Sequence, residues 1–163
     1  LLPWSAYKGM ADHLSTDAGE LGGLLLGRTL PLPYATKHGY NHLTIIEKPV
    51  PSFEYANSGY SLEMGTEIWS RAAAEMKNGL QVVGWYHSHP DLGAFFSPRD
   101  RATQRAFFDH GYSLGIVIDP VGGERKCYAG PEADEIPITW PESIGCRHVL
   151  GSTVSLDRVD IIR

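Results

Sequence analysis

Two histidines with a single residue between them stand near the middle of the chain, and a proline follows the second. His87 and His89 come directly after an apolar run, Leu80 to Trp85, that predicts a buried strand. Side chains two residues apart on an extended backbone point to the same face, so both imidazoles are expected to aim at one point. Two imidazoles placed in this way are suited to bind a metal ion.

A carboxylate follows in the next predicted element. Asp100, together with the two histidines, would hold a tetrahedral Zn²⁺ and leave its fourth position open, which is the arrangement of a catalytic rather than a structural zinc. Ser97, Pro98 and Asp100 also form a strong helix start, with Ser97 as the N-cap. The alternative is therefore that Ser97 and Asp100 only cap a helix. We prefer the metal site, because capping alone does not account for the histidines upstream.

A hydrolytic zinc site also needs a base that accepts a proton from the attacking water. Glu20 is the strong candidate, because it opens a short apolar strand that is punctuated by glycines. A carboxylate at the head of a buried run is costly unless it has a partner. The alternative, a Glu20 that is solvated at the exposed edge of the strand, is equally favoured by the residues alone.

These residues, taken with their spacing, resemble the JAMM signature of the MPN+ zinc metalloproteases, in a compact, prokaryotic-type form. The matching positions are, in chain order, Glu20, Gly23, Gly27, His87, His89, Pro90, Ser97 and Asp100. Further along, an apolar strand that ends in Asp119 and Pro120 is similar to the strand that ends in Asp-Pro in that family. The resemblance covers roughly residues 1 to 130, and a motif with this fixed internal spacing is far more specific than a lone pair of histidines.

Members of that family remove ubiquitin or ubiquitin-like proteins from conjugates, and some act on sulfur-carrier proteins of the same fold. The resemblance implies that His87, His89 and Asp100 bind Zn²⁺ and that Glu20 is the general acid/base. It also implies that the Ser97 hydroxyl helps to hold the oxyanion. No signature position is substituted, which argues against a degenerate domain that serves only as a scaffold.

Three functions follow as hypotheses. The first is a zinc isopeptidase or peptidase, similar to the deubiquitinases, that cleaves after the C-terminal glycine of ubiquitin or a ubiquitin-like protein, in a conjugation or defence pathway. The second is processing of the tail of a sulfur-carrier protein. The third is a zinc-bound but inactive MPN assembly module, and the intact Glu20 and Ser97 argue against it.

Aromatic residues near the predicted metal ligands are candidates for substrate contact. Phe95 and Phe96 are adjacent, so one is expected to pack inward while the other borders the cleft. The loop from Phe53 to Tyr60 is a candidate slot for an extended Gly-Gly tail, with Tyr60 as a contact. The alternative, that these aromatic residues pack the rim of the core, is favoured by the residues alone.

Composition sets limits on the partners and the location. The 163 residues suffice for one domain, and the net charge of −5 argues against nucleic acid as the main partner. We expect no membrane span or signal peptide and a cytoplasmic location.

Cys127 and Cys146 are expected to be free, partly buried thiols. The remaining histidines are expected in loops or on the surface: His13, His38, His42, His110 and His148.

The order of predicted elements gives an α/β fold, in which a mixed, mainly antiparallel sheet is flanked by helices. The resemblance implies the same MPN fold, which is related to that of cytidine deaminases. Helices are predicted over residues 3–14, 62–77 and 97–109, and strands over 22–30, 41–46, 81–86, 113–118 and 125–128. Residues 1–130 are predicted to form the catalytic domain, and residues 131–163 a C-terminal loop and edge strand of the same domain. The alternative for this last segment is partner contact or oligomerisation.

Overall fold

Three helices and a six-stranded sheet make up the part of the chain that the computed structural model describes, which is residues 1–36, 39–53, 65–76 and 78–141. The elements are α1 (Trp4–Leu14), β1 (Gly22–Pro31), β2 (His42–Pro51), α2 (Thr66–Met76), β3 (Gln81–Ser88), α3 (Pro98–Phe107), β4 (Leu114–Ile118), β5 (Arg125–Ala129) and β6 (Asp134–Ile136). The strands lie in the order β2-β1-β3-β4-β5-β6. The predicted α/β class with a mixed, mostly antiparallel sheet is confirmed.

One pair of neighbouring strands is parallel, and this pair decides where the loops meet. β3 and β4 run in the same direction, whereas the other neighbours are antiparallel. A parallel pair needs a crossover connection, and α3 lies within it. The carboxyl ends of β3 and β4 therefore lie side by side, with Ser88 opposite Ile118. The start of β1 reaches the same end of the sheet, because Gly22 is opposite His87.

Both faces of the sheet are covered. α1 packs on one face, where its buried Met10 belongs to the same apolar cluster as Tyr86 of β3. α2 packs on the other face, where Ile68 belongs to a second cluster with Trp85. Successive residues of a strand point to opposite faces, so His87, two residues after Trp85, lies on the α2 side. The rings of Trp85 and His87 stack there, with their centroids 4.5 Å apart.

β2 is longer than the sequence predicts. Pro49 and Pro51 predict an end of this strand at residue 46, yet the strand continues to Pro51. β2 is an edge strand of the described sheet and pairs with β1 alone. The two prolines are two residues apart, so their nitrogens lie on the same side of the strand, which on an edge strand can face away from the sheet.

Residues 131–147 were predicted as a loop, and the structure instead places the short strand β6 within them. β6 has three residues and pairs antiparallel with β5. So short a strand carries too little alternation to be recognised in the sequence, and its pairing with β5 creates it. The edge strand predicted within residues 149–163 lies outside the described residues.

The helices agree closely with their predicted ranges. α1 and α3 match the predictions for residues 3–14 and 97–109 to within a few residues. The helix predicted over 62–77 begins at Thr66, and residues 62–64 and 77 are outside the described ranges. Within those ranges, no helix combines the length and the apolar character that crossing a membrane requires.

The prediction that His13 lies on the surface or in a loop is wrong. Its side chain is buried on α1, and its Nδ1 is 2.9 Å from the hydroxyl oxygen of Tyr86. Burial lowers the pKa of His13. His13 follows Met10 by three residues and therefore shares the buried face of the helix, a spacing that the prediction did not use. His42 and His110 are exposed, as predicted, and residues 38 and 148 are outside the described part.

Cys127 is a free thiol on β5, as predicted, and it is fully rather than partly buried. Burial raises the pKa of this thiol to about 12. A thiol that stays protonated at neutral pH is a poor nucleophile, so Cys127 is not suited to covalent catalysis. Cys146 lies outside the described residues.

Candidate active site

Three elements bring the predicted site residues to one end of the sheet. β3 carries His87 and leads directly into His89, and α3 begins beside them with Asp100 in its first turn. The segment before β1 is fastened to β3 by Ser88, whose backbone N–H donates to the carbonyl of Leu21 at 2.8 Å. The Ser88 hydroxyl oxygen in turn accepts the N–H of Leu21 at 2.9 Å. This double contact places Glu20, the preceding residue, beside the histidines.

Ser88 is a functional residue that the sequence reasoning missed. Ser88 stands between the two predicted ligands, His87 and His89, in the chain. Its side chain is fully buried and contacts Leu21 instead of the metal ligands. A buried polar side chain at the end of an apolar strand needs a hydrogen-bond partner. That requirement was the available signal, although the sequence does not show that the partner is the residue after Glu20.

The nitrogen and oxygen atoms of the three predicted metal ligands converge. Asp100 Oδ1 is 3.5 Å from His87 Nε2, and Asp100 Oδ2 is 3.5 Å from His89 Nε2. One ligand atom from each of the three residues can be chosen so that all lie within 4.8 Å of one another. Two ligand atoms at tetrahedral angles around Zn²⁺ are separated by about 3.3 Å for bonds of about 2.0 to 2.1 Å. The two 3.5 Å separations are close to that value, whereas the 4.8 Å span of the three-atom set is wider.

The buried polar atoms of this cluster also fit a metal. The side chains of His87 and His89 are 2% and 5% exposed, and His87 Nε2 has no hydrogen-bond partner among the described residues. Buried polar atoms in proteins are normally satisfied, and a cation shared with Asp100 would satisfy this one. Burial opposes ionisation of Asp100, but its contacts with His87, His89 and Ser97 hold the pKa of this carboxyl well below its usual range. The cluster therefore offers two imidazoles and a carboxylate, a donor set that zinc prefers.

The capping role and the metal-facing role of Asp100 coexist. Asp100 Oδ2 accepts the backbone N–H of Ser97 at 2.6 Å, and the Ser97 hydroxyl accepts the backbone N–H of Asp100 at 3.2 Å. This capping box fixes the carboxylate against the start of α3 while both of its oxygens stay near the histidines. The Ser97 hydroxyl uses only a lone pair in this contact, so its hydrogen remains for another acceptor.

Glu20 lies in the same cleft. Its Oε1 is 4.0 Å from His89 Nε2, and its side chain is 17% exposed. The structure therefore places the carboxylate at the predicted metal site and not at a solvated strand edge. The cleft has a volume of about 130 Å³ and is lined by the five predicted catalytic and metal-binding residues together with Trp85, Leu92, Phe95, Arg99 and Thr103.

The two adjacent phenylalanines point to opposite sides, as the alternation predicts. Phe95 is 44% exposed, lines the cleft and has its ring centroid 4.8 Å from that of His89. Phe96 is buried and stacks on Tyr128 with centroids 4.1 Å apart. Of the pair, Phe95 is the one positioned to meet a substrate. Tyr60 and most of the candidate loop that contains it lie outside the described residues.

Asp119 holds the loop that connects His89 with Ser97. Its Oδ1 accepts the N–H of Asp91 and its Oδ2 accepts that of Gly93, each at 3.0 Å. Two further backbone N–H groups, at residues 121 and 122, donate to Oδ1 at 2.9 and 2.8 Å. Burial opposes ionisation of Asp119, yet these N–H donors hold its pKa below the usual range. The sequence marked Asp119 only as the end of a strand, because two of its four partners come from a loop far away in the chain.

Asp119→Ala is expected to lower the free energy of unfolding by about 3 kcal/mol, because it leaves several inward-facing N–H groups without an acceptor and a hydrogen bond to a charged group is worth about 1.5 to 3 kcal/mol. Urea denaturation followed by circular dichroism measures this change. Asp109→Ala is the matched control, since the Asp109 side chain is 68% exposed. An Asp119→Ala variant no less stable than the control would show that the loop does not depend on this carboxylate.

The chain belongs to the prokaryotic homologs of the JAB domain, since the model of that family matches residues 5–128. The predicted resemblance to the JAMM/MPN+ proteins is confirmed by this match. Distant similarity to JAMM/MPN proteins from eukaryotes agrees with it.

Three relatives illustrate the range of the family. NAD(+) hydrolase TcpA from Theionarchaea archaeon (strain DG-70-1) is 39% identical over 124 residues, which are 76% of this chain and 33% of that protein. The histone deubiquitinase MYSM1 from Branchiostoma floridae is 32% identical over 124 residues, 71% of this chain and 14% of that protein. Ubiquitin carboxyl-terminal hydrolase RPN11 from Saccharomyces cerevisiae is 27% identical over 107 residues, 63% of this chain and 32% of that protein. The chain thus spans a third or less of each of them.

Among solved structures, that of protein DSY2949 from Desulfitobacterium hafniense is similar. It aligns with a TM-score of 0.56 over 83% of this chain and 88% of that chain, at 21% identity. At this level of identity the likeness shows the fold alone, and it agrees with the α/β architecture described above.

Proposed function

We propose that the chain is a zinc-dependent peptidase or isopeptidase that cleaves after the C-terminal glycine of ubiquitin or a ubiquitin-like protein. The observation that carries the proposal is the convergence of His87, His89 and Asp100 within 4.8 Å, with Glu20 beside them in one cleft. The names of two relatives, a ubiquitin carboxyl-terminal hydrolase and a histone deubiquitinase, support this substrate class.

The residues of the cleft would have separate roles in the proposed hydrolysis. Zinc held by His87, His89 and Asp100 would supply Lewis-acid activation of water and of the substrate carbonyl. Glu20 would accept a proton from the attacking water and return it to the leaving amine. The Ser97 hydroxyl has a hydrogen to donate to the carbonyl oxygen as negative charge develops on it. No covalent intermediate is needed in this scheme.

Ser97→Gly is expected to lower kcat by about 10²- to 10³-fold, the usual loss when one oxyanion donor is removed. Glycine at an N-cap costs only a few tenths of a kcal/mol, whereas alanine costs about 1 kcal/mol. Comparing Ser97→Gly with Ser97→Ala in both unfolding and steady-state assays therefore separates catalysis from capping. If the loss of kcat followed the loss of stability across the two variants, Ser97 would serve the helix alone.

The archaeal relative carries the name of an NAD(+) hydrolase, but only a third of that protein has a counterpart in this chain. The name therefore does not tell which activity belongs to the third of that protein that matches this chain. NAD⁺ is a necessary control substrate, because its turnover at the zinc site would contradict the proposed specificity for a peptide bond.

The decisive experiment incubates the zinc-loaded protein with ubiquitin, ubiquitin-like proteins and sulfur-carrier proteins. The terminal glycine of each protein is joined either to a C-terminal peptide extension or to the side chain of a lysine. Intact-mass spectrometry follows the products, with a chelated sample alongside each one. We expect scission directly after the terminal glycine that stops when the metal is removed. The substrates cleaved identify the modifier and distinguish an isopeptide from a linear peptide bond.

Two results would redirect the proposal. Cleavage confined to sulfur-carrier tails would assign the chain to the processing of those proteins. Zinc binding without cleavage of any member of the panel would favour the non-catalytic MPN assembly module over the enzyme.

A further inference from the structure

The two candidate zinc-binding histidines lack the contacts that usually fix such rings. A histidine that binds a metal through one ring nitrogen normally donates the other N–H to a carboxylate or carbonyl, which sets the orientation of the ring. Nδ1 of His87 and Nδ1 of His89 are buried, and neither has a hydrogen-bond partner in the described part of the chain. A contact of a different kind is available to hold the ring of His87.

For His87 that contact is the indole of Trp85. The two rings stack with centroids 4.5 Å apart and an interplanar angle of 11°. Both side chains are almost fully buried, and they lie two residues apart on the same face of β3. A flat ring packed against another prevents the imidazole from tilting about its side-chain bonds. Metal binding also makes an imidazole more positive, and the π face of an indole attracts positive charge.

The indole is itself held in one orientation. Trp85 Nε1 donates to Oε1 of Gln104 at 2.6 Å, and Gln104 is fully buried on α3. The amide of Gln104 is fixed in turn, because its Nε2 donates to the carbonyl of Gly130 at 3.1 Å. The indole also stacks on Phe108, with an interplanar angle of 7°. α3 therefore supplies the carboxylate ligand Asp100 and, one turn further on, the residue that orients Trp85.

We propose that Trp85 is a positioning residue for His87, in which aromatic stacking takes the place of the usual hydrogen bond to the second ring nitrogen. Gln104 sets the orientation of the indole and acts on His87 only through it. The inference rests on the proposed metal site. Its test therefore measures metal binding, so that it can fail separately from the proposed hydrolysis.

The experiment compares zinc dissociation constants, obtained by competition with a chromophoric chelator, for the unmodified chain and four variants. Trp85→Leu removes the stacked ring, and we expect it to weaken zinc binding by about 10- to 100-fold, the usual cost of losing a residue that orients a metal ligand. Trp85→Phe keeps a ring on His87 and should bind within a few-fold of the unmodified chain. Gln104→Leu leaves the indole N–H without an acceptor. Its zinc dissociation constant should lie between those of Trp85→Phe and Trp85→Leu.

Trp69→Leu is the matched control. Trp69 stacks on the same Phe108 from α2 but does not line the cleft, so its loss should leave zinc affinity unchanged. The visible spectrum of Co²⁺ substituted for zinc gives a second readout, and it should change in Trp85→Leu and Gln104→Leu but not in Trp69→Leu. Circular dichroism of each variant shows that the comparison is made on folded protein.

A folded Trp85→Leu variant that binds zinc as tightly as Trp69→Leu, with the same Co²⁺ spectrum, would overturn the positioning role and leave the proposed function intact. If Trp85→Leu does not fold, Gln104→Leu decides by the same criterion. Absence of zinc binding by the unmodified chain would overturn both proposals together.

Discussion

Glu20→Gln is expected to bind zinc as tightly as the unmodified chain and to lose about 10²- to 10⁴-fold in kcat on the substrate that the panel identifies. The amide keeps the shape of the carboxylate but cannot accept a proton from water. Glu20 lies beside His89, with 4.0 Å between Oε1 and Nε2, and is not one of the three converging ligands. The variant therefore removes a proton carrier and preserves the metal site. Zinc affinity and steady-state kinetics, measured on the same preparation, check this expectation.

Three further variants serve as comparisons for Glu20→Gln. His87→Ala and Asp100→Ala are expected to lose both zinc and turnover, because each removes one of the converging ligands. Glu135→Gln is the matched control, since Glu135 is an exposed residue of β6 that pairs with Lys126. It should leave both properties unchanged. Full activity of Glu20→Gln on a confirmed substrate would show that another group carries the proton.

Gly84→Ala is expected to lower the free energy of unfolding by about 3 kcal/mol or more, within the range of severe single substitutions. A Cβ at this position would lie 2.0 Å from the carbonyl oxygen of Leu114, and the φ angle of +154° is one that other residues rarely adopt. Gly84 pairs with Leu114 in the parallel ladder between β3 and β4. The backbone fixes the position of a Cβ, and the carbonyl oxygen of Leu114 is itself a backbone atom, so rotation of a side chain cannot relieve the contact.

The effect of Gly84→Ala should extend to the candidate metal site, because β3 carries Trp85 and His87 one and three residues after Gly84. Urea denaturation gives the stability, and competition with a chelator gives the zinc affinity of the fraction that folds. Gly111→Ala is the control, since a Cβ there would meet no atom within 4 Å, and its effect should stay within about 0.5 kcal/mol. Equal stability of the two variants would mean that β3 and β4 can separate without cost.

Much of the candidate site follows from local rules. The direction of His87 and the packing of Trp85 beside it depend on the period of two in a strand. The start of α3 at Ser97 and Asp100 depends on capping, which operates over three residues. The inward and outward directions of Phe96 and Phe95 also follow from alternation. Patterns of this kind involve neighbours in the chain, and the structure agrees with them.

Other features depend on which strands pair. The distance between Glu20 and His89 is set by the register of β1 against β3 and by the contacts of Ser88 with Leu21. The sequence alone left a solvated Glu20 equally favoured, because nothing near residue 20 specifies this register. Asp119 and Gln104 gain their roles in the same way, from partners on separate loops and strands.

Residue types at short, fixed spacing were therefore enough to predict the family, the convergence of the three candidate metal ligands and the cap of α3. Three other features emerged when the chain folded: Glu20 reaches the histidines, His13 is buried, and residues 134–136 form a strand. One cause underlies all three. Strand pairing and helix packing join residues far apart in the chain, and the free energy of those contacts depends on the whole sheet.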